Sequence, residues 1–367
     1  MVWLAWRNLV RDRLRFALSL AGVALAVMLI LILHGYLAGV YRQAAAYLQE
    51  TPGTLVVLPE DTRNTIGTAG VLPDAAQQAA EAVPGVREVV PVLSRVAILE
   101  LHERKSAAFA LGYDPERGGG PWSISSGRTI AAGDEMVLDR VLATEHELAL
   151  GDDLEMLGRT FSIVGLSEET GLWAGSFVFV ERETLRALGE ASGAMSYMLV
   201  SLAPGTDADV VAARLDGMPG MDAFDKSDVI ASDRRLVARA YEAPLYLMVG
   251  IAFVVGVLTV GLISYTATME RRREYGILKA VGAQPRRLYT LVAAQALVTA
   301  LLGGLAGVVL GYGASALLMT IRPQFLVVIE PAAAVVAFGS SVAMALIAAL
   351  IPGRAVARLA PAEVFRS

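Results

Sequence analysis

The chain has 367 residues, of which 55% are hydrophobic and only 18% are charged, against about 25% charged residues in an average soluble domain. The missing charge is concentrated in four stretches that contain no Asp, Glu, Lys or Arg. They are Phe16–Tyr41, Ala243–Met269, Leu288–Ile321 and Pro331–Gly353. Each is longer than the roughly 20 residues that a helix needs to cross a bilayer. The composition therefore excludes an ordinary soluble protein, and the absence of cysteine excludes disulfide bonds and thiolate metal sites.

Residues 1–15 combine apolar residues at helical spacing with arginines on another face. Trp and Arg in this arrangement are typical of a helix at the membrane interface, and the alternative is a plain basic flank of the first span. We predict the amphipathic helix over 1–15 and a first span over 16–41. A cleaved signal peptide is a further alternative, but the uncharged run is longer than the apolar region of about 7–15 residues in such peptides.

The first span contains one ionisable group of the kind that often marks function inside a membrane. His34 lies toward the outer end of the span, near Tyr36 and Tyr41. Ionisable residues within a span are candidates for a functional site, whereas an interfacial histidine costs little. These three residues are therefore candidate substrate contacts, with a simple interfacial position as the alternative.

The charge of the segments between the spans predicts the topology. The N-terminus, the loop 270–287 and the tail 353–367 together carry 13 basic and 4 acidic residues, whereas Arg42–Glu242 carries 17 basic and 31 acidic residues. Short cytoplasmic segments next to spans carry the excess of Lys and Arg. We therefore predict cytoplasmic termini, a cytoplasmic loop 270–287, and segments 42–242 and 320–330 outside the cell. The remaining spans are predicted over 243–269, 288–319 and 331–352.

The segment 42–242 is long enough for one or two small domains and is predicted to be mixed α/β. Loop residues Gly118–Pro121 mark a candidate subdomain boundary. Predicted strands are Leu55–Leu58, Val86–Pro91, Arg95–Leu101, Phe177–Val180 and Met198–Leu202, and predicted helices are Asp74–Val83, Glu181–Leu188, Asp207–Leu215 and Asp225–Tyr241. A hairpin is predicted from Leu154 to Gly165 with Gly158 and Arg159 as its turn.

Catalytic and metal-binding motifs are nearly absent. His102 and His146 each have neighbouring glutamates, but a solvated surface explains both better than a metal site. The dipeptide Gly-Lys does not occur, so the sequence contains no phosphate-binding loop of the G-x-x-x-x-G-K-[ST] type. We expect no catalytic residue, no metal and no cofactor in this chain. If ATP drives the protein, another chain must bind it.

The third span contains Gly303, Gly307 and Gly311 at intervals of four residues. Small residues at this spacing let two helix backbones approach closely. They predict a packing seam, either within one bundle or between protomers. Ordinary glycine abundance in membrane helices is the alternative explanation.

The loop after the second span is more informative than a simple basic anchor. The residues Tyr275, Ile277, Leu278 and Val281 have the spacing of a short amphipathic helix, Gly282 is a candidate cap, and Pro285 prevents smooth continuation. A helix in this position can dock in a groove of a partner. A basic anchor loop alone would not need this apolar centre.

The sequence E-R-R-R-E-Y-G-I-L-K-A-V-G-A of this loop closely resembles the segment after the second span of MacB/FtsX-like permeases of ABC transporters. The tail resembles that family's closing pattern, basic residues followed by P-A-E-x-hydrophobic-R, and Trp6-Arg7-Asn8-Leu9 resembles its N-terminal signature. Residues 135–165 are similar to its extracytoplasmic domain. In the absence of a phosphate loop, the chain is similar to members with a stand-alone permease, such as haem exporters and DevC glycolipid exporters.

The resemblance implies an α-helical membrane protein with four transmembrane helices and a large mixed α/β extracytoplasmic domain between helices 1 and 2. It implies a bacterial inner membrane, a separate ABC ATPase that holds ATP and Mg, a second permease copy, and in some systems a periplasmic adaptor or fusion protein. No nucleic-acid partner is expected. The residues that the resemblance places at the ATPase are Arg271, Arg272, Arg273, Glu274, Tyr275, Gly276, Ile277, Leu278, Lys279, Ala280, Val281, Gly282 and Ala283.

Two functions follow from the resemblance. The first is export or extraction of an apolar or amphiphilic substrate by mechanotransmission, in which the spans act as levers driven by the ATPase. The uncharged interiors of spans two to four agree with it, because they offer no hydrophilic route. The alternative is an FtsX-like signalling subunit that activates an outer partner, such as a cell-wall hydrolase, without moving a substrate. The large outer segment favours export, and the substrate itself is not predicted.

Overall fold

The computed structural model describes residues 13–66, 70–101, 104–173, 175–189, 195–281 and 284–358. They form two compact units. The membrane unit comprises residues up to Gly39 and from Tyr241 onward, and the outer unit comprises Val40–Ala240. The predicted helix over residues 1–15 lies almost wholly outside the described residues, as do His102 and residues 359–367 of the tail.

Within the described residues, four helices are long and apolar enough to cross a membrane. They are α1 (Arg13–Glu50), α6 (Lys226–Glu270), α8 (Pro285–Ile321) and α9 (Pro331–Arg358), with the short helix α7 (Arg272–Ala280) between the second and third. The helices α1 and α6 each contribute residues to both units. The predicted helix from Asp225 is the start of α6, which continues without a break into the second span.

The core of the membrane unit is built from small and branched residues. One cluster joins residues of α1 with α6 and α9, including Val27, Leu31, Ala252 and Met344. A second joins α8 and α9 through a set that consists almost entirely of alanine. There the hydroxyl of Ser341 donates to the carbonyl oxygen of Ala300 at 3.1 Å. Small side chains allow this close approach of two helices in a bundle.

The outer unit contains one sheet with α-helices packed on it. Its strands are β1 (Leu55–Pro59), β2 (Val86–Leu101), β3 (Arg104–Tyr113), β4 (Ile124–Gly127), β5 (Glu135–Asp139), β6 (Asp153–Met156), β7 (Arg159–Ser167), β8 (Gly171–Leu172), β9 (Gly175–Glu181), β10 (Tyr197–Leu202) and β11 (Met221–Asp225). Its helices are α2 (Asp74–Glu81), α3 (Arg140–Glu145), α4 (Arg182–Ala187) and α5 (Ala208–Asp216). The strand order is β11-β1-β10-β2-β3-β9-β5-β7-β4, with β6 beside β2 and β7.

The long strand β2 passes through the whole unit and takes part in both of its halves. Its first part pairs with β10, and its second part pairs with β3. Separate apolar cores form at the two ends of the sheet, one with α2 and α5 and the other with α3 and α4. A third core contains Tyr47, Phe179 and Tyr197. The loop Gly118–Pro121 lies inside this single unit.

Two local predictions were wrong. Pro91 does not end a strand, because β2 pairs only with β10 at this point and its pairing with β3 begins at Leu93. A residue without an N–H is tolerated where the strand has one unpaired side. The hairpin turn is Leu157–Gly158, not Gly158–Arg159, because Met156 pairs with Arg159. Both turn residues have positive φ, 54° and 79°, as the two-residue turn that suits strand twist requires.

The loop before β5 is held by a carboxylate whose protonation should change the stability of the outer unit. Glu135 accepts from Arg128 Nη1 at 2.7 Å and from the backbone N–H groups of Ala131 and Ala132 at 2.7 and 3.3 Å. Chiefly the hydrogen bond from Arg128 lowers the pKa of Glu135 to about 2.

A group whose pKa is lower in the folded state stabilises that state above its unfolded pKa. We therefore expect Glu135→Gln to lower the free energy of unfolding by about 1 kcal/mol at neutral pH. The difference from the unmodified protein should shrink as the pH falls below about 4.5 and vanish near 2. Thermal unfolding across this pH range checks it, and a difference that is independent of pH would contradict it.

Candidate functional site

The predicted coupling segment forms a helix at the end of the second long helix. Helix α7 spans Arg272–Ala280, starting three residues earlier than the predicted helix, and its C-cap is Val281. The N–H of Val281 donates to Ile277 O at 3.0 Å. Pro285 then occupies the first turn of α8, where its missing N–H costs no helical bond. The predicted cap Gly282 and its neighbour Ala283 lie outside the described residues, as does the side chain of Leu278.

One face of α7 is anchored to the membrane bundle. Tyr275 is 4% exposed and packs against Leu288 and Leu291 in the first turns of α8. Gly276 is also buried. Burial raises the pKa of the Tyr275 phenol, so the side chain stays neutral. These contacts fix the rotation of α7 about its own axis, because the buried aromatic can only face α8.

The opposite face of α7 presents apolar and basic side chains to its surroundings. Ile277 and Val281 are 45% and 84% exposed. They are four residues apart and therefore neighbours on one face of the helix. Arg272, Arg273 and Glu274 are exposed, whereas Arg271 and Lys279 are half-buried. Ile277 and Val281, which we call the exposed pair, are apolar side chains that the described residues leave exposed.

An ion pair links the start of the first long helix to the end of the second. Arg15 donates to both carboxylate oxygens of Glu270, with Nη2 2.7 Å from Oε1. Arg–carboxylate pairs of this two-pronged form are geometrically specific. Neither residue was predicted as part of the site. The sequence contains a signal for this pair. Arg15 and Glu270 each flank an uncharged run, and the predicted topology places both residues on the cytoplasmic side of the membrane.

A polar cavity of about 300 Å³ adjoins this ion pair and Tyr275. Its walls come from α1, α6, α7 and α8. Besides Arg15, Glu270, Arg271 and Tyr275, the polar side chains in the walls are Ser19, Ser264, Thr268, Gln295 and Thr299. Ser19, Thr268 and Thr299 are buried, and both threonine hydroxyls donate to carbonyl oxygens of their own helix. The predicted coupling helix α7 thus borders this cavity through Tyr275.

The three predicted seam glycines lie against the first helix of the same chain. A Cβ on Gly303 would lie 2.8 Å from Val23 Cβ, and one on Gly311 would lie 2.7 Å from Leu31 Cδ2. A Cβ on Gly307 would lie 2.7 Å from the carbonyl oxygen of Ala24. A Cβ at Gly303 or Gly307 would press on the Cβ of a valine of α1, and at Gly307 also on its backbone, whereas at Gly311 only the Leu31 side chain would have to move. The helices α1 and α8 therefore approach closely at Gly303 and Gly307.

The candidate substrate contacts of the first span have separate surroundings. The His34 ring packs edge-on to Tyr246 at 6.0 Å between centroids. Tyr36 lies 5.9 Å from the ring of Phe325. Tyr41 belongs to the outer unit. His34 and Tyr36 are thus each paired with an aromatic ring of the membrane unit, and their role as substrate contacts stays a prediction.

Among the described residues, no group of three or more His, Cys, Asp or Glu side chains is placed to hold a metal ion. The candidate site is therefore described from helix α7 and the contacts around it. Its parts are the exposed pair, the basic residues beside it, the buried Tyr275 and the ion pair of Arg15 with Glu270.

Comparison with known proteins agrees with this architecture. Residues 16–218 match the MacB-like periplasmic core domain, and residues 246–361 match the FtsX-like permease C-terminal domain. An ABC transporter permease of Mycobacterium tuberculosis (strain ATCC 25618 / H37Rv) is 27% identical over 374 residues, which cover 100% of this chain and 99% of the relative.

Two longer relatives match with only part of their length. The macrolide export ATP-binding/permease protein MacB of Nitrosomonas europaea is 23% identical over 389 residues, covering 99% of this chain and 58% of the relative. The pyoverdine export ATP-binding/permease protein PvdT of Pseudomonas syringae pv. tomato is 23% identical, with the same two coverages. The solved periplasmic region of MacB from Actinobacillus actinomycetemcomitans aligns with a TM-score of 0.40 and 12% identity, covering 49% of this chain and 92% of that chain.

The first family match alone spans more than half of the chain. The two matches together include helices α8 and α9, most of α1, the second half of α6 and strands β1 to β10. The predicted family and fold class are confirmed: the chain belongs to the MacB/FtsX-like permease family of ABC transporters, with a mixed α/β periplasmic-type domain between its first and second membrane helices.

Proposed function

We propose that this permease couples ATP hydrolysis on a separate ABC ATPase to the extraction or export of an apolar or amphiphilic substrate. The observation that carries the proposal is the two-sided character of α7. Tyr275 anchors one side to the bundle, while the exposed pair on the other side is apolar and exposed. An amphipathic helix presented in this way suits a hydrophobic groove on a partner.

The polarity of the segment agrees with a cytoplasmic ATPase. Arg272 and Arg273 are exposed next to the exposed pair, and short segments rich in Lys and Arg lie on the cytoplasmic side. We therefore assign residues 270–287 and both termini to the cytoplasm. The outer unit then lies on the opposite side of the membrane. The partner holds ATP and Mg. A second permease copy completes a symmetric assembly with two ATPases, and an adaptor protein outside the membrane is a further candidate partner.

The coupling is mechanical in this proposal. Closure of the ATPase dimer would move α7, whose anchor Tyr275 acts on α8 and whose neighbour Glu270 acts on α1 through Arg15. Since α1 and α6 each contribute residues to both units, their displacement changes the outer unit without a water-filled pore. Spans two to four contain no charged or histidine side chain over 243–269, 288–319 and 331–352, which suits cargo taken from a lipid layer.

The names of the longer relatives support export. They are macrolide and pyoverdine export proteins that combine ATP-binding and permease functions. The alignments include 99% of this chain but only 58% of each relative. The signalling alternative uses the same coupling helix and differs in what the outer unit contacts. Export and signalling can therefore be distinguished by which molecule stimulates ATP hydrolysis.

The test is to reconstitute the permease with its ATPase in lipid nanodiscs and to measure ATP hydrolysis. Export predicts a severalfold rise with one class of amphiphile, because transported substrates bind states that the cycle must pass through. Empty nanodiscs with the ATPase alone provide the control. Stimulation by an outer hydrolase, with no response to any amphiphile, would instead show that the protein signals.

A further inference from the structure

The polar cavity that borders α7 extends from the end of the bundle into the membrane spans. At one end it is lined by Arg15 and Glu270, which directly flank the uncharged runs of the first and second spans. Ser264, six residues before Glu270, also lines it. A helix rises about 1.5 Å per residue, so the polar wall reaches about 9 Å into the second span. Polar groups at this depth are costly unless they are matched.

Three polar side chains of this cavity are unmatched. Within the described part of the chain, the hydroxyls of Ser19 and Ser264 and the carboxamide of Gln295 have no hydrogen-bond partner. Ser19 is only 7% exposed, yet its oxygen is open to the cavity and not sealed in the core. In contrast, Thr268 and Thr299 donate to carbonyl oxygens of their own helices. An occupant with several oxygen acceptors would satisfy the three unmatched groups.

The charged walls of the cavity favour an anionic occupant. They contain two guanidinium groups, of Arg15 and Arg271, and one carboxylate, of Glu270. Arg15 is paired with Glu270. Arg271 is half-buried and close enough to act electrostatically on Glu270 and Tyr275. The walls therefore carry one positive charge in excess, on a residue type that suits phosphate.

The apolar walls and the depth of the cavity favour a lipid over a soluble anion. Phe16, Ile263 and Val292 line the cavity beside the polar groups. The ion pair of Arg15 with Glu270 lies where the uncharged runs end, which is where lipid headgroups meet the hydrocarbon layer. Basic pockets between membrane helices bind anionic lipid headgroups. The volume of about 300 Å³ is at the lower end of the range for ligand pockets, which suits a headgroup.

We propose that this cavity binds the phosphate-bearing headgroup of an anionic phospholipid from the leaflet at the α7 end of the bundle. Arg271 pairs with the phosphate, Ser19 and Gln295 donate to headgroup oxygens, and Phe16 and Ile263 contact the start of the acyl chains. The proposal is independent of the proposed function, because it concerns the permease alone and needs neither ATP nor the ATPase.

The experiment titrates the full chain, in a mild detergent, with phosphatidylglycerol or with phosphatidylcholine of the same acyl chains. Native mass spectrometry resolves each bound lipid and gives its Kd. The first phosphatidylglycerol should bind at least about fivefold more tightly than the first phosphatidylcholine, because the positive walls repel the choline ammonium group. Equal Kd values of the two lipids would overturn the proposal.

A soluble probe distinguishes a lipid from a free phosphate compound. Glycerol 3-phosphate at millimolar concentration is expected to leave the binding of phosphatidylglycerol unchanged, because it lacks the acyl chains that contact the apolar walls. If it displaces the first phosphatidylglycerol, the cavity selects a soluble phosphate and the assignment to a lipid is wrong.

Three variants locate the binding. Arg271→Gln should raise the Kd of phosphatidylglycerol about tenfold, and Gln295→Leu, which removes the donor at similar size, about fivefold. Arg13→Gln removes an exposed arginine that does not line the cavity and should leave the Kd unchanged. Thermal unfolding verifies that each variant is folded. Unchanged binding in the first two variants, or an equal loss in Arg13→Gln, would show that the lipid does not bind in this cavity.

Discussion

Replacing Ile277 with glutamate is expected to lower the affinity of the permease for its ATPase by at least about tenfold, because docking would bury a charge without a partner. The permease itself should fold normally, since the Ile277 side chain is 45% exposed and packs in no described core. Co-purification of the two subunits and a binding titration in nanodiscs measure the loss. ATP hydrolysis by the assembled complex should fall in parallel.

A matched control distinguishes docking from a general effect of added charge. Val210 is also 45% exposed, also branched at Cβ, and also on a helix, α5 of the outer unit. Val210→Glu should leave ATPase binding unchanged, whereas Val281→Glu, on the same face as Ile277, should reproduce the loss. If Ile277→Glu and Val281→Glu both bind the ATPase with unchanged affinity, α7 is not the docking surface.

The second large effect is expected at the seam between α1 and α8. Gly307→Ala should destabilise the membrane unit by about 1–3 kcal/mol, as overpacking does. The added Cβ would lie 2.7 Å from the Ala24 carbonyl oxygen and 2.7 Å from Val27 Cβ. A backbone oxygen within a helix cannot move aside like the end of a flexible side chain, so the two helices must separate. Thermal unfolding in a mild detergent measures the change.

The same helix provides the control for this substitution. A Cβ on Gly313 would meet nothing within 4 Å, so Gly313→Ala should be neutral or slightly stabilising, since alanine has the higher helix propensity. Both variants make the same chemical change in α8, six residues apart. Equal stability of the two variants would show that the seam does not depend on the absence of a side chain at Gly307.

Several elements were predictable because their signals are local. The four membrane helices follow from uncharged runs that exceed the length of a bilayer crossing. The hairpin of β6 and β7 follows from alternating residues around a turn, although its turn was misplaced by one residue. The helix α7 follows from apolar spacing within the seven residues Tyr275–Val281, although it begins three residues earlier. In each case, the residues that decide the structure are neighbours in the chain.

The strand β3 shows why other elements were missed. Its sequence, Arg104–Tyr113, is rich in alanine and has little of the branched or aromatic character of a strand. It is a strand because it lies between β2 and β9, where Ala108 and Ala110 are fully buried. Its partner β9 is about 70 residues away in the chain, and such pairing depends on the packing of the whole sheet rather than on local preference.

The features of the candidate site also fall into those set by local sequence and those set by tertiary contacts. The sequence alone determined the four spans, the basic and acidic sides, and an apolar helix in the loop after the second span, since charge and periodicity are properties of short segments. Only the tertiary structure decided that Tyr275 turns inward while Ile277 and Val281 stay exposed, because Leu288 and Leu291 supply the surface that buries the phenol. It likewise joined Arg15 to Glu270, since contacts between distant residues depend on how the helices pack.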